Sequence, residues 1–144
     1  MLDQNALDTL FNNARSHNGW LDSDVSNEQI NQIYELMKYG PTAANNSPAR
    51  ITFVKSAAAK QKLKAHLDEG NVDKAMAAPV IAIISYDIEF YEKLPFLFPH
   101  ADARSWYAGN DAKIKSAGEM NATLQGAYFM MAARSVGLDC GPMG

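Results

Sequence analysis

The chain has 144 residues, 47% of them hydrophobic and 20% charged, with a formal net charge of -3 at pH 7. That balance excludes a disordered tail, a collagen-like chain and a disulfide scaffold. It also gives no general electrostatic reason to bind nucleic acid or an anionic membrane, so any bound anion must be held locally.

Hydrophobic spacing predicts a first helix over Leu2–Asn13, with Leu7, Leu10 and Phe11 on one face. Arg15 to Trp20 is polar and contains glycine, as a loop does. Ser26 followed by Gln29 forms a capping box, and Ile30, Ile33, Tyr34 and Met37 continue at helical spacing. Gly40 and Pro41 end that helix. Thr42 to Pro48 is small and polar, a loop, and Ile51 to Val54 is a short strand. Ser56 caps a third helix carrying Leu63 and Leu67. Gly70-Asn71 is expected to break it, with Asn71 capping a short helix to Ala77. Pro79 to Tyr86 is a continuous apolar run, as in a strand buried on both faces. Residues 88–107 are expected to be irregular and hold Phe90, Tyr91, Phe96, Phe98, Trp106 and Tyr107. Ala112 to Ser135 reads as a long helix with a stripe of Ile114, Ala117, Asn121, Leu124, Tyr128, Met131 and Ser135, ended by Gly137. Helices alternating with strands argue for a mixed layer fold, and a lone two-stranded sheet needs something to complete it.

Cys140 is the one cysteine, so no internal disulfide can form, which fits a reducing cytoplasm. Met1-Leu2-Asp3-Gln4 has neither the basic nor the apolar region of a signal peptide, and no apolar run, Val80 to Ile84 included, approaches the length of a membrane span. His17, His66 and His100 lack metal-ligand spacing, so no metal site is expected. No Ser-His-Asp order or phosphate loop is visible, and Gly137 to Gly144 follows a helix, unlike a dinucleotide fingerprint.

Four segments could carry chemistry, and each has a plainer reading. Arg15-Ser16-His17-Asn18 could grip a phosphate, or be a turn whose arginine favours a helix C-terminus. Tyr39 to Pro48 could bring backbone amides close to a flat ligand, or be a helix-to-strand connection; its length favours the former. Asn71 and Lys74, at i and i+3, could face one ligand edge, or be a cap and a solvated lysine. Gly137 to Gly144 could be backbone shaped for a ligand, or a helix cap.

Together these segments resemble the FMN-dependent nitroreductase family, in the branch containing malonic semialdehyde reductases. The resemblance runs from Leu7 to the last residue. It rests on Ala14-Arg15-Ser16-His17, Tyr39 to Arg50, Glu69-Gly70-Asn71, Ala78-Pro79-Val80 and Gly137 to Met143. It implies an α+β sandwich, with a mostly antiparallel central sheet flanked by helices, that forms a homodimer with FMN at the interface. It implies hydride transfer from NAD(P)H through the flavin to a small oxidised substrate, such as malonic semialdehyde, a nitro compound or a quinone. The alternative is a non-catalytic chain that dimerises without a competent FMN site.

By the same resemblance, Arg15, Ser16 and His17 match the stretch holding the FMN phosphate and ribityl chain. Thr42, Ala43 and Asn45 match a loop reaching the flavin from the partner subunit. Asn71 and Lys74 match the pair at the pyrimidine edge, and Pro142, Met143 and Gly144 the strip over the ring. Arg104, among the aromatics of 88–107, is a candidate contact for a substrate carboxylate, and those aromatics are either packing or a lid. Family chains continue past this point, so residues 1–144 are expected to be a single, C-terminally incomplete domain.

Overall fold

The computed structural model describes residues 1–144. Helix α1 (Gln4–Leu7) is capped by Asp3, whose carboxylate accepts from Ala6 N–H at 2.8 Å. It runs on as a π-turn over Asp8–Asn12, where the Asp8 carboxylate accepts from Gln4 and Asn12. Helix α2 (Asn27–Met37) opens on the expected capping box: Gln29 N–H donates to Ser26 Oγ at 3.1 Å, and Ser26 N–H donates to Gln29 Oε1 at 3.0 Å. Strand β1 (Ala49–Val54), helix α3 (Ala57–Lys64), helix α4 (Glu69–Ala77) and strand β2 (Ile81–Tyr86) follow. Ser56 caps α3 as expected, accepting from Ala59 N–H.

Strands β1 and β2 form a two-stranded sheet. Asp87 N–H donates to Pro48 O, and Ser85 Oγ–H donates to Arg50 O, a register that falls on one strand as it rises on the other: the pair is antiparallel. The intervening α3 and α4 replace a tight hairpin turn. Among the β2 residues only Ile81 is buried, and Ile83 and Ile84 are 38% and 39% exposed. The expectation of a strand buried on both faces is therefore corrected, because in a two-stranded sheet β2 has one neighbour and its faces are only partly covered.

Two further boundaries move. Helix α4 starts at Glu69, with Asp68 in the N-cap position, so Asn71 lies inside the first turn instead of capping it. The break after α3 falls at 65–68, and Glu69 near the α4 N-terminus favours the helix dipole. Residues 88–107 are not irregular. They form a 3-10 turn (Phe90–Lys93), helix α5 (Leu94–Leu97) and a second 3-10 turn (Ala103–Trp106) before helix α6 (Asp111–Ser135).

The chain divides into two compact units, Met1–Leu36 with Thr52–Ile83 and Met130–Gly144, and Met37–Ile51 with Ile84–Phe129. The core of the first is Val54, Ala75, Ala78 and Ile81, with Trp20, Leu63, Leu67 and Met76 packed against it. The core of the second is Phe90, Leu94, Ala103, Tyr107, Ile114 and Ala117. Phe90 and Tyr107 meet edge to face at 5.0 Å. Most of the 88–107 aromatics are thus packing, while Phe96 and Trp106 are exposed.

Within the second unit, α6 buries Ile114, Ala117, Gly118, Asn121, Ala122 and Gln125, whereas Leu124 and Tyr128 are 44% and 43% exposed. The inward face is set by small residues and two amides, not by the bulky stripe. Gly118 shows why: an added Cβ would lie 2.5 Å from the Tyr86 ring. No helix is long and apolar enough to cross a membrane.

Candidate functional site

Helix α6 ends in a turn that steers the tail. Gly137 adopts φ +82°, and the Leu138 and Gly137 amides donate to Ala133 O and Arg134 O, both at 3.0 Å. Such a closure satisfies carbonyls at the helix end and reverses the chain. The tail then runs parallel to the segment after the π-turn. Ser16 and Cys140 form a β-bridge, and His17 N–H donates to Cys140 O at 3.0 Å. His17 Nε2 also lies 3.6 Å from Asp139 Oδ1. At Gly141 an added Cβ would stand 2.2 Å from His17 O and 3.0 Å from the Trp20 ring, so only glycine allows this approach. Burial pushes the Cys140 thiol up, keeping it protonated near neutral pH.

The same unit contains α4. Trp20 Nε1–H donates to Lys74 O at 2.7 Å, so one indole ring touches the tail glycine while its N–H grips α4. Asn71 and Lys74 are half-buried on one face of α4, and neither side chain has a hydrogen bond or ion pair within the chain. Neither side chain has a polar atom among the buried unpaired ones, so both are solvated in the chain alone and open to a ligand. Arg15 is exposed, and its Nη1 donates to Asn12 O and Ala14 O at 2.9 and 2.8 Å. Those bonds orient the guanidinium through one nitrogen and leave Nη2 and Nε to face an anion. Pro142, Met143 and Gly144 follow Gly141 and are exposed.

Thr42, Ala43 and Asn45 belong to the second unit. A 3-10 turn spans Ala43–Asn45, and Ala44, Asn45 and Ser47 have φ of 49°, 53° and 38°. Left-handed backbone in three non-glycine residues is strained, at about 1–2 kcal/mol each. The loop is held by Ala43 N–H donating to Asn121 Oδ1 (2.8 Å), Ser47 N–H donating to Thr42 Oγ1 (3.1 Å) and Asn45 Nδ2 donating to Leu97 O (3.1 Å). Asn121 Nδ2 donates onward to Ala117 O, and Gln125 Oε1 accepts from Ala49 N–H. The neighbouring Asn46 is 1% exposed and has no partner for either amide atom. Asn121 is a satisfied core amide, and its service to the Thr42 loop is visible only in the fold.

Arg104 is committed elsewhere in that unit. Its Nε and Nη2 each lie 2.7 Å from the Glu92 carboxylate, and its guanidinium is 5.9 Å from the Tyr91 ring centroid. The paired bond holds Glu92 below the usual carboxylate range and raises Arg104. A substrate carboxylate could meet it through the free Nη1, or bidentately by displacing Glu92. No group of three or more His, Cys, Asp or Glu could hold a metal ion.

Sequence reasoning missed Trp20 and Gln125. Trp20 carried one signal, its place directly after the Arg15–Gly19 turn; Gln125 carried none beyond being polar on a buried helix.

Comparisons with known proteins agree with this architecture. The chain is 56% identical over 143 residues to a protein of Ralstonia nicotianae provisionally named NADH dehydrogenase/NAD(P)H nitroreductase, covering 99% of this chain and 73% of that one. A protein of the same provisional name from Burkholderia lata is 56% identical over 142 residues, again covering 99% and 73%. Among solved structures, a provisionally named nitroreductase from Exiguobacterium sibiricum in complex with FMN superimposes with a TM-score of 0.83 at 18% identity. It covers 100% of this chain and 76% of that one. A provisionally named nitroreductase from Bacillus subtilis gives 0.82 at 20% identity, covering 96% and 75%. The nitroreductase family model matches residues 13–144, which include the Ser16–Cys140 bridge, the Thr42 loop and α4. The chain belongs to the nitroreductase family.

Proposed function

We propose that this chain is an NAD(P)H-dependent oxidoreductase that binds FMN. Arg15, Ser16, His17, Asn71, Lys74, Pro142, Met143 and Gly144 contribute from one subunit, and Thr42, Ala43 and Asn45 from a second copy. The observation that carries this reading is the unpaired Asn71–Lys74 pair, half-buried in the unit that also aligns Arg15–His17 with the tail. The relatives' provisional names and the FMN complex of a structural neighbour support it.

The residues fit the group. Arg15 offers donors to a phosphate, and the serine and backbone of the Ser16 strip offer further hydrogen bonds. The absence of a side chain at Gly141 lets the tail lie against His17 O and the Trp20 ring, which sets the Pro142–Gly144 backbone beside the Arg15–His17 segment. FMN, when bound, supplies the hydride chemistry between NAD(P)H and an oxidised substrate. The chain's own task is binding, orientation and charge. Lys74 offsets the negative charge that reduction places on the pyrimidine edge, and Asn71 offers both a donor and an acceptor to that edge.

The second copy is supported by the exposed stripe Met120, Leu124 and Tyr128, at 55%, 44% and 43% exposure along one face of α6. A homodimer would cover that stripe. The substrate within this reading is a small oxidised molecule such as malonic semialdehyde, reduced to 3-hydroxypropionate, or a nitro compound or quinone. A cytoplasmic, reducing setting suits the free Cys140 thiol.

The test is a visible spectrum of the purified chain titrated with FMN, then with NAD(P)H. Uptake near one flavin per chain, bleached by NAD(P)H and weakened about tenfold or more in Lys74→Met, is the expected result. A colourless chain that takes up no added FMN overturns the reading.

A further inference from the structure

Trp20 makes two contacts that serve different parts of the site. Its indole N–H donates to the carbonyl of Lys74 at 2.7 Å, in the last turn of α4. That carbonyl also accepts the capping bond from Ala78 N–H at 3.1 Å, so the indole occupies its second lone pair. The far edge of the same ring stands where a side chain at residue 141 would go, 3.0 and 3.2 Å from the position of an added Cβ. The ring also packs on the Val54, Ala75, Ala78 and Ile81 core. One end is therefore bonded to α4 and the other stands close against the tail backbone at Gly141.

We infer that Trp20 is a positioning residue, a rigid strut that sets the separation between Lys74 and the Gly141–Gly144 strip. The role rests on the FMN reading only for its consequence, the placement of a cation against the ring edge. The strut itself is a property of the protein without cofactor. A tryptophan suits it physically: the ring is flat and stiff, and one end carries a donor while the other is apolar. Phenylalanine would keep much of the packing but lose the N–H.

The experiment uses Trp20→Phe in the full chain, with Lys74→Met and the double variant. Hydrogen exchange of the flavin-free protein comes first. The expected result is faster exchange, up to about tenfold, confined to 71–78 and 139–144, as the loss of one net hydrogen bond allows. Uniform acceleration across the Val54 core, or no change in either segment, overturns the strut. Second, the midpoint potential of bound FMN is measured in all four proteins. Trp20→Phe is expected to make it more negative when Lys74 is present and to have little effect in the Lys74→Met background. An equal shift in both backgrounds overturns a role exerted through Lys74. If the wild-type chain takes up no FMN, the cofactor reading fails, and the exchange data still decide the strut.

Discussion

Replacing Gly141 with alanine drives a methyl group to 2.2 Å from the His17 carbonyl oxygen. Ordinary contact begins near 3.4 Å, so the oxygen or the tail must move by about 1 Å. The blocking atom is backbone, so no side-chain rotation relieves it. Movement loosens the His17 N–H to Cys140 O bond at 3.0 Å, a net loss of about 1 kcal/mol. Overpacking against the Trp20 ring adds about 1–3 kcal/mol. The sum, roughly 2–4 kcal/mol, corresponds to a drop in Tm of roughly 6–15 °C in a chain of this size. Thermal melting of the flavin-free protein by circular dichroism measures it. Gly70→Ala is the control: no atom lies within 4 Å of its added Cβ, and it sits in α4, so it should be neutral or raise stability by up to about 1 kcal/mol. If Gly141→Ala melts within about 2 °C of the parent, the close approach of tail and Arg15–His17 segment is not as described, and the reasoning fails.

Two further outcomes follow from the second unit. Asn121→Ala removes the acceptor of Ala43 N–H and the donor to Ala117 O from a fully buried position, and should cost roughly 2–4 kcal/mol. The same melting assay reads this, and a loss under about 0.5 kcal/mol would show that the Thr42 loop does not depend on α6. Asp87 accepts from Glu89 N–H at 2.8 Å and from Arg50 Nη2 at 2.6 Å, and these hold its carboxyl below the usual carboxylate range, the backbone bond being the larger cause. A lowered folded pKa gives stability that is present above the unfolded value of about 3.9 and lost as pH falls through the folded value. Asp87→Asn should therefore be less stable than the parent by on the order of 1 kcal/mol at pH 6–7, with the gap closing below about pH 4. A gap that persists unchanged at pH 3 would assign the effect to something other than the charge.

Local chemistry made much of the fold legible. The capping box at Ser26 and Gln29, the Ser56 cap and the left-handed Gly137 all act within a few residues of themselves, and each stands where the pattern put it. The family was legible for a related reason: short stretches such as Tyr39 to Pro48 combine small, kinked and polar residues in an order that few backbones need. The errors came where the outcome depends on what packs from elsewhere. Asn71 is a fair cap by type, but the start of α4 was fixed at Glu69. The aromatics of 88–107 have no periodicity, yet Phe90 and Tyr107, with Leu94, fold short turns around one core because together they can bury their apolar side chains.

The sequence by itself determined the elements, the mild charge and the kinship, because these depend on residue type and near-neighbour spacing. Tertiary structure alone decided which polar groups are left to meet a ligand. In the sequence Arg104, Asn71 and Lys74 are all polar candidates for a ligand contact, with nothing along the chain to say which has a partner. Folding pairs two nitrogens of Arg104 with Glu92 and brings no partner to the side chains of Asn71 and Lys74. It likewise sets Trp20 between Lys74 and Gly141, 54 residues from one and far along the chain from the other. Desolvation and pairing are properties of three-dimensional neighbours, and no spacing rule along the chain reports them.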